Sequence, residues 1–389
     1  MEARQAEGDD SHLFTGGPPL RAQFRIGLAH PRELHVARRA VLFMLVTWLP
    51  LLLFSLAEGS LVGRAGAFVW DFGVLARLLV AGPLLLVAES LCSRVLSDIA
   101  TRLWHVCLPG ADNRRRFEHA VESTLRLRDA LVAEFGVAVL AYALAVGVMN
   151  VLPMASLPQW HRAEGSALSL AGWWYAVVSL PLLLMLLFGW LWRLFLWARF
   201  LLLVGRLELL LVPVHPDRAA GLGFVGYSLR GFALVGGAVG AIMAGSVANQ
   251  VVHGGRGLSD FAHAIGGLVA VIVVLFTLPL LSFSLQLVRA WRRGVRDYGS
   301  LATAFGVAFE REWFSRQQNL PEDVLERGDF SAATDLYQVV ERVQAIRIIP
   351  VDVVSVALLA IATLLPFVPV VLIALPFDVI LRALEGFVR

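Results

Sequence analysis

The sequence contains no lysine, and all 33 of its basic residues are arginine. It has two cysteines, Cys92 and Cys107, which excludes a disulfide framework, and they lack the paired ligands of a metal motif. Charged residues of both signs make up only 16% of the chain. A chain-wide preference for arginine indicates a compositional bias rather than a nucleic-acid surface, so we expect no nucleic-acid partner.

Enzyme motifs are also missing. The chain has no GxSxG elbow, no HExxH helix and no Walker loop. Gly221-x-Gly223 lacks the further glycine and the Lys-Ser/Thr pair of nucleotide-binding loops. Most carboxylates fall in polar insertions, where solvated helix faces account for them. The sequence therefore predicts no enzyme activity, no catalytic residue, no cofactor and no metal site.

What the chain has in abundance is apolar surface. Hydrophobic residues make up 58% of it, and the mean hydropathy is +0.72. A soluble fold of 389 residues has too little interior to hide so much apolar surface, so lipid must cover part of it. The predicted fold is all-α: a polytopic transmembrane helical bundle of about seven spans, with amphipathic cytoplasmic helices.

Apolar runs long enough to cross a membrane recur along the chain. The predicted spans are 41–57, 72–92, 135–152, 174–197, 229–249, 262–287 and 351–375. Residues 199–212 continue the apolar run of the fourth span and are expected to extend its helix as far as Pro213. Pro366 and Pro369 interrupt the last run, which is either one kinked span or a re-entrant hairpin. We take it as a span.

The same pattern divides the chain into regions. These are a polar N-terminus (1–36), spans one and two (37–92), an amphipathic insertion (93–134), spans three to six (135–288) with a turn at 213–227, a helical insertion (289–347), and the last span with its tail (348–389). In this arrangement 27 arginines fall on one side of the membrane and six on the other. Because positive loops stay inside, the N-terminus, both insertions and the turn are predicted to be cytoplasmic.

The polar cluster between the fourth and fifth spans reads His215-Pro216-Asp217-Arg218, followed by glycines at 221 and 223. Proline and glycine favour a tight turn that re-enters the membrane. In one interpretation the cluster is structural: Asp217 caps the next helix, and Arg218 binds a lipid phosphate or a carbonyl. In the other it is a gate or ion site, where His215 titrates near neutral pH and Asp217 and Arg218 form switchable pairs.

This turn and the span after it resemble a group of uncharacterised bacterial multi-pass membrane proteins. Their turn reads HPD-R-x-G-G-L-G-F, and this chain has Ala220 and Gly221 where that group has its double glycine. The resemblance covers this segment only. It implies a multi-pass protein in the inner membrane of a bacterial cell, and it implies no activity.

The fifth span carries two rows of small residues, which are Gly237, Ala241 and Gly245 in one and Gly236, Gly240 and Ala244 in the other. Small residues at this spacing let a neighbouring helix approach closely. The rows predict close packing within the chain or, alternatively, a central helix of a homo-oligomer or a pore lining. We expect Gly240→Leu to destabilise the protein or its assembly.

Two pairs of charged residues lie near the predicted inner face. Glu89 and Arg193 fall at the same depth in two spans, which makes them a candidate ion pair, although both side chains would also reach the interface alone. Arg199 and Arg206 are seven residues apart and so share a helical face. Such a row attracts anions or the phosphates of membrane lipids, or it is simply the positive flank of a span.

Three functions fit these features. A channel or transporter for an ion or small solute suits the intramembrane charges and the glycine-rich span, and this is the function that we predict. The alternative is a membrane-embedded scaffold or sensor, in which the two insertions form a cytoplasmic platform for partners. An intramembrane enzyme acting on lipid has the least support. The expected partners are membrane lipids and, if the chain assembles, further copies of itself.

Overall fold

The structure is a computed structural model that describes residues 14, 16–18, 35–62, 67–107, 110–151, 158–162, 168–314 and 329–374. Within these ranges the chain is helical, and its β pairing consists of two isolated bridges. Seven helices are long and apolar enough to cross a membrane. The predicted all-α transmembrane bundle is therefore confirmed. Most of the N-terminus (1–36) and the tail after residue 374 lie outside the described residues.

We number the main helices in chain order. They are α1 (Val36–Ala57), α2 (Phe72–Val106), α3 (Ala111–Arg128), α4 (Leu131–Val151), α5 (Leu170–Val204), α6 (Gly223–Gly254), α7 (Leu258–Arg311), α8 (Asp329–Gln344) and α9 (Val353–Ala374). Short 3₁₀ turns at Phe68–Trp70 and Gln159–His161 precede α2 and α5. All but α3 and α8 are candidate spans, and α3 and α8 belong to the two polar insertions.

Prolines alter the turns inside α2, α5 and α7, as Pro366 does inside α9. A π segment at Ala76–Ala81 precedes Pro83 in α2, and one at Tyr175–Ser179 precedes Pro181 in α5. In α7 the 3₁₀ segment Leu278–Phe283 contains Pro279. Proline has no backbone N–H, so a carbonyl of the preceding turn loses its regular partner and the helix widens or tightens locally. The prolines of α2, α5 and α7 are evenly spaced along the chain, and each begins a Pro-Leu-Leu run.

Helix α6 is the centre of the bundle. Of its apolar window 67% is buried, against 22% for α1, α4, α7 and α9. The predicted small residues explain this, since a Cβ on Gly240 would lie 2.0 Å from the Thr363 carbonyl oxygen of α9. One on Gly236 would meet the Thr363 hydroxyl at 2.6 Å.

The residues of the other row pack against two helices, α2 and α9. A Cβ on Gly245 would lie 2.5 Å from the Cβ of Ala76 in α2, and one on Gly237 would lie 3.1 Å from the Ala362 carbonyl oxygen of α9. Ala241, between them, is buried. These close approaches are packing within one chain, the first of the two predicted uses of the rows.

The predicted continuation of the fourth span through residues 199–212 holds only as far as Val204 and is wrong beyond it. Helix α5 ends at Val204, and residues 205–222 form non-helical turns before α6. The Gln286 side-chain amide of α7 donates to the carbonyls of Gly205 (2.6 Å) and Leu207 (2.8 Å), and the N–H of Leu210 donates to the carbonyl of Val106 (2.8 Å). These hydrogen bonds replace the helical ones and explain why an apolar run does not stay helical.

Helices α7 and α9 decide two further predictions, one on where the sixth span ends and one on whether the last apolar run is a single span. Helix α7 continues well past the predicted end of the sixth span at residue 287, so the beginning of the second insertion belongs to the same helix. Helix α9 is a single span with a 3₁₀ turn at Leu365–Phe367, where Pro366 lies. The kinked-span alternative is the one observed, and it gives seven spans.

Candidate functional site

The two ends of the bundle differ in charge. We call the end where α2 and α5 finish and α6 begins the arginine-rich end, and the end where α1 finishes and α2 begins the opposite end. All the charged residues and His215 that the sequence predicts as sites lie at the arginine-rich end or in the adjoining part of a span. The small-residue rows lie inside α6, as described above.

Asp217 organises the turn between α5 and α6. Its Oδ1 accepts hydrogen bonds from the backbone N–H groups of Ala219 (2.8 Å) and Gly221 (3.1 Å), and its Oδ2 accepts one from Gly223 (2.8 Å). Arg218 has φ 55°, in the left-handed region that few side chains adopt. Three hydrogen bonds to one carboxylate hold this strained backbone in place.

The electrostatics of the turn fit that structural role. Burial raises the pKa of the Asp217 carboxyl, but the three backbone donors and the His215 side chain lower it by more, so the pKa lies below its usual value. His215 Nδ1 is 2.9 Å from Asp217 Oδ1, and the His215 side chain is 44% exposed. Arg218 forms no ion pair within the described part of the chain, and its carbonyl accepts a hydrogen bond from Arg347 N–H (2.8 Å). The turn thus docks against the segment that precedes α9.

A buried ion triad joins three spans next to this end. Glu89 of α2 accepts hydrogen bonds from Arg193 of α5 (2.7 Å) and from Arg39 of α1 (2.5 Å), and all three side chains are buried. The Arg193 guanidinium also lies over the Trp190 ring, 4.9 Å from its centre. The predicted pair of Glu89 and Arg193 is present, and Arg39 completes it. The sequence missed Arg39 because a basic residue at the start of a span is typical of a positive flank.

Arg199 and Arg206 do not share a helical face, because α5 ends before Arg206. Arg199 lies on α5, and its buried Nη1 has no hydrogen-bond partner among the described residues. Arg206 is exposed and lines two cavities, one on each side. The smaller cavity, about 320 Å³, lies towards Arg115 and Arg116 of α3. The larger one lies towards α7.

The larger cavity has a volume of about 940 Å³ and is open to the surface. The segment after α5 forms one wall and α7 forms the other. Its guanidinium groups come from Arg206, Arg289 and Arg293, and Glu208 and Gln286 add further polar groups. A basic cavity of this kind attracts phosphate or carboxylate groups. Arg289 and Arg293 were not predicted as site residues, since arginine after a span is again typical of a positive flank.

A second polar cluster, at the opposite end, was not predicted. Asp71 caps α2 by accepting a hydrogen bond from the N–H of Val74 (3.0 Å). It also accepts hydrogen bonds from Asn249 Nδ2 of α6 (2.8 Å) and from Trp160 Nε1 of the loop before α5 (3.0 Å). One buried carboxylate therefore ties α2, α6 and this loop together.

The same end contains Arg77, Tyr175 and His161. Arg77 and Tyr175 belong to the two π segments, and Arg77 Nη1 donates to the Tyr175 hydroxyl (2.5 Å). His161 is buried against Trp160, with the ring centres 3.7 Å apart. Burial lowers the pKa of His161 to about 4; Asp71 raises it and Arg77 lowers it by smaller amounts.

No group of three histidine, cysteine, aspartate or glutamate side chains suited to a metal ion occurs among the described residues. No family model, no curated protein and no solved structure matches this chain. The seven spans make the chain an integral, multi-pass membrane protein.

Proposed function

We propose that this integral membrane protein is a scaffold or sensor whose arginine-rich end presents a helical platform to a partner protein. The observation that carries the proposal is a contrast within the bundle. Most of its interior is filled by apolar side chains, and its buried charged clusters lie towards the two ends, whereas a long helical hairpin projects from one end. This is the alternative that the sequence offered beside a channel or transporter.

The filled interior argues against a path through a single chain. Four of the largest fully buried side chains belong to one continuous apolar core built by α2, α5, α6 and α7, and they are Trp197, Phe200, Phe232 and Phe283. A permeation path needs polar groups or water along its length. Close-packed aromatic rings supply neither.

The hairpin consists of the end of α7 and of α8, which pack against each other. Helix α7 has 54 residues and is therefore about 80 Å long, far more than the roughly 30 Å of a hydrocarbon core. Its last part must project from the membrane. Gly294 fixes the hairpin to the bundle, because a Cβ there would lie 2.7 Å from side chains of both Pro213 and Val343.

Apolar side chains on the hairpin remain exposed although lipid does not cover them. Leu301 of α7 and Tyr337 of α8 are each more than half exposed. Because each helix of the hairpin has an exposed apolar residue, both helices are candidates for the contact surface. They are the positions at which we expect a partner to bind.

Photo-crosslinking in cells tests this proposal. A photoreactive residue at Leu301 or Tyr337 should give a discrete protein adduct, and the same residue at the exposed Val271, inside the sixth span, should not. The proposal is abandoned if neither hairpin position gives an adduct. An adduct with the mass of two chains would show that the partner is another copy.

A channel or transporter remains the second candidate because charged groups, Glu89 and Arg193, are buried within spans. A pore on the symmetry axis of a homo-oligomer would avoid the filled interior. Flux of protons, common ions and small solutes into liposomes that contain the purified protein separates the two functions. Flux above that of protein-free liposomes would replace the scaffold with a channel or transporter, and an absence of flux together with hairpin adducts supports the scaffold.

A further inference from the structure

An apolar groove of about 490 Å³ runs between α5 and α7 on the lipid-facing side of the bundle. Leu191, Phe195 and Leu202 of α5 and Leu278 of α7 line it, and all four are exposed. The one polar side chain in the lining is that of Ser282, whose hydroxyl donates to the Pro279 carbonyl (2.5 Å). The groove therefore offers no polar group to a ligand and suits a hydrocarbon chain.

The groove follows from the proline in α7. Pro279 stands in its wall and lies in the 3₁₀ segment Leu278–Phe283. Side chains of a 3₁₀ segment follow a different angular spacing from those of an α-helix, so they do not fit the grooves of α5 regularly. Ala198 leaves further room, because its side chain is the smallest of the α5 lining.

The length of the groove matches one leaflet. It follows α5 from Leu191 to Leu202, which at 1.5 Å per residue is about 16 Å. Half of a hydrocarbon core is about 15 Å thick. An acyl chain of the leaflet at the arginine-rich end would therefore lie along the groove over its full depth.

The groove leads directly into the basic cavity. Leu202, Leu281 and Ser282 line both, so the apolar part ends where the guanidinium groups begin. Arg206 and Arg289 are exposed there and lie within 4 Å of no carboxylate among the described residues.

The remaining charged groups of the cavity leave its positive charge in excess. Arg293 donates to the Leu211 carbonyl (2.8 Å), which uses one of its nitrogens and leaves its charge unpaired. Glu208 is the acidic residue of the lining, and it forms no ion pair within the described ranges. Three positive groups thus face one negative group at the mouth of an apolar groove.

We propose that the groove and the cavity bind one anionic phospholipid of the surrounding bilayer. Its phosphate contacts the guanidinium groups of Arg206 and Arg289, and an acyl chain lies between Leu191 and Leu202. One guanidinium group can donate two parallel hydrogen bonds to the oxygens of a phosphate. Basic groups at the membrane surface favour anionic over zwitterionic lipids. A soluble anion would use the cavity alone. The site does not depend on whether the hairpin binds a partner.

Native mass spectrometry of the full chain in mild detergent tests the charge component, with phosphatidylglycerol as the probe. Replacing both Arg206 and Arg289 by glutamine should weaken phosphatidylglycerol binding about tenfold or more. The matched control replaces Arg292 and Arg296, two exposed arginines of α7 that do not line the cavity. Phosphatidylglycerol binding to this control variant should stay within about twofold of its binding to wild type. Equal losses in both double variants would overturn the proposal, because they would reflect surface charge alone.

Ala198→Phe tests the apolar component and leaves every arginine in place. The larger side chain fills the groove, so phosphatidylglycerol binding should fall several-fold. Phosphatidylcholine with the same chains should bind wild type at least several-fold more weakly than phosphatidylglycerol does. The proposal is overturned if Ala198→Phe binds phosphatidylglycerol as wild type does, or if inorganic phosphate displaces the lipid completely, since the site would then be one for a soluble anion. If the arginine double variant does not fold, the Ala198→Phe result decides.

Discussion

The two ends of the bundle each bury one carboxylate, and they satisfy it in different ways. At the arginine-rich end Glu89 is held by two guanidinium groups from α1 and α5. At the opposite end Asp71 accepts hydrogen bonds from a backbone N–H, the Asn249 amide and the Trp160 indole, all of them neutral donors. Both carboxylates join several helices, but only the first has guanidinium groups within hydrogen-bond distance; Arg77 acts on Asp71 from farther away.

This difference predicts how strongly the loss of one group destabilises each cluster. A buried ion cluster depends on every charge in it, because removing one leaves its partners charged in a medium of low polarity. A carboxylate with neutral donors loses separate hydrogen bonds, whose contributions are smaller. The ends should therefore respond unequally to the same chemical change. The free energy of unfolding of each purified variant in detergent, compared with that of wild type, measures this response.

Glu89→Gln should have the largest effect. Glutamine keeps the shape of the side chain but leaves Arg39 and Arg193 facing each other without a negative charge, so we expect a loss of about 3–5 kcal/mol in the free energy of unfolding. Glu122→Gln is the matched control, because the ion pair of Glu122 with Arg126 is exposed and should contribute less than about 1 kcal/mol. Equal effects in the two variants would contradict a stabilising triad.

Asp71→Asn should cost less, about 2–3 kcal/mol. The amide has one acceptor oxygen for three donors, so at least one buried donor loses its partner. Asp260→Asn, on an exposed carboxylate near the same end, serves as the control in the same unfolding assay. A loss as large as that of Glu89→Gln would abolish the contrast between the ends.

Low pH should lower the stability of the opposite end, because His161 is buried there in its neutral form. Its pKa is 6.5 in the unfolded chain and about 4 in the folded one, so the unfolded state binds more protons between these values. Stability should therefore fall as the pH drops from about 6.5 to about 4, by on the order of 2 kcal/mol. The lowered pKa of Asp217 acts mainly below its unfolded value of 3.8, at the acid edge of this window.

The measurement is the pH dependence of unfolding for wild type and for His161→Phe. The variant should lose this dependence because phenylalanine does not titrate. His119→Gln, which removes an exposed histidine from α3, should retain it. An unchanged slope in His161→Phe would mean that His161 is not the titrating group.

Tyr175→Phe should have the smallest effect, about 1 kcal/mol. It removes the hydroxyl that Arg77 contacts but leaves the ring packed against Trp160 and His161. Tyr142→Phe, on an exposed tyrosine of α4, should be neutral in the same assay. If Tyr175→Phe costs as much as Glu89→Gln, then Arg77 depends on this one partner and the opposite end also contains a critical charge.

The sequence anticipated the arginine-rich end better than the opposite one. Glu89 and Arg193 are unusual in apolar runs, and their equal depth predicts the pair that is present. Asp71 is an ordinary polar residue at the start of a span, and its partners Trp160 and Asn249 lie 89 and 178 residues away. Equal depth connected Glu89 with Arg193 across 104 residues. Polar residues such as Asp71, Trp160 and Asn249 are expected at any end of a span, so nothing in the sequence singled them out.

The end of α5 shows a different limit. The run through residues 199–212 is apolar, and apolarity predicts burial but does not predict a helix. Contacts from Gln286 and Val106 satisfy the backbone of the segment after Val204 in another way. Those contacts exist only once α2 and α7 are in place.

The sequence alone determined that the chain crosses a membrane, where its first six spans lie and which charged residues gather at each end, because the transfer of apolar and charged groups into lipid depends on local composition. Tertiary structure decided which charges meet, where α5 stops and that a groove between α5 and α7 ends in a basic cavity. These features arise from contacts between helices far apart in the chain. Their energies depend on distances of a few ångströms, which composition and spacing do not specify.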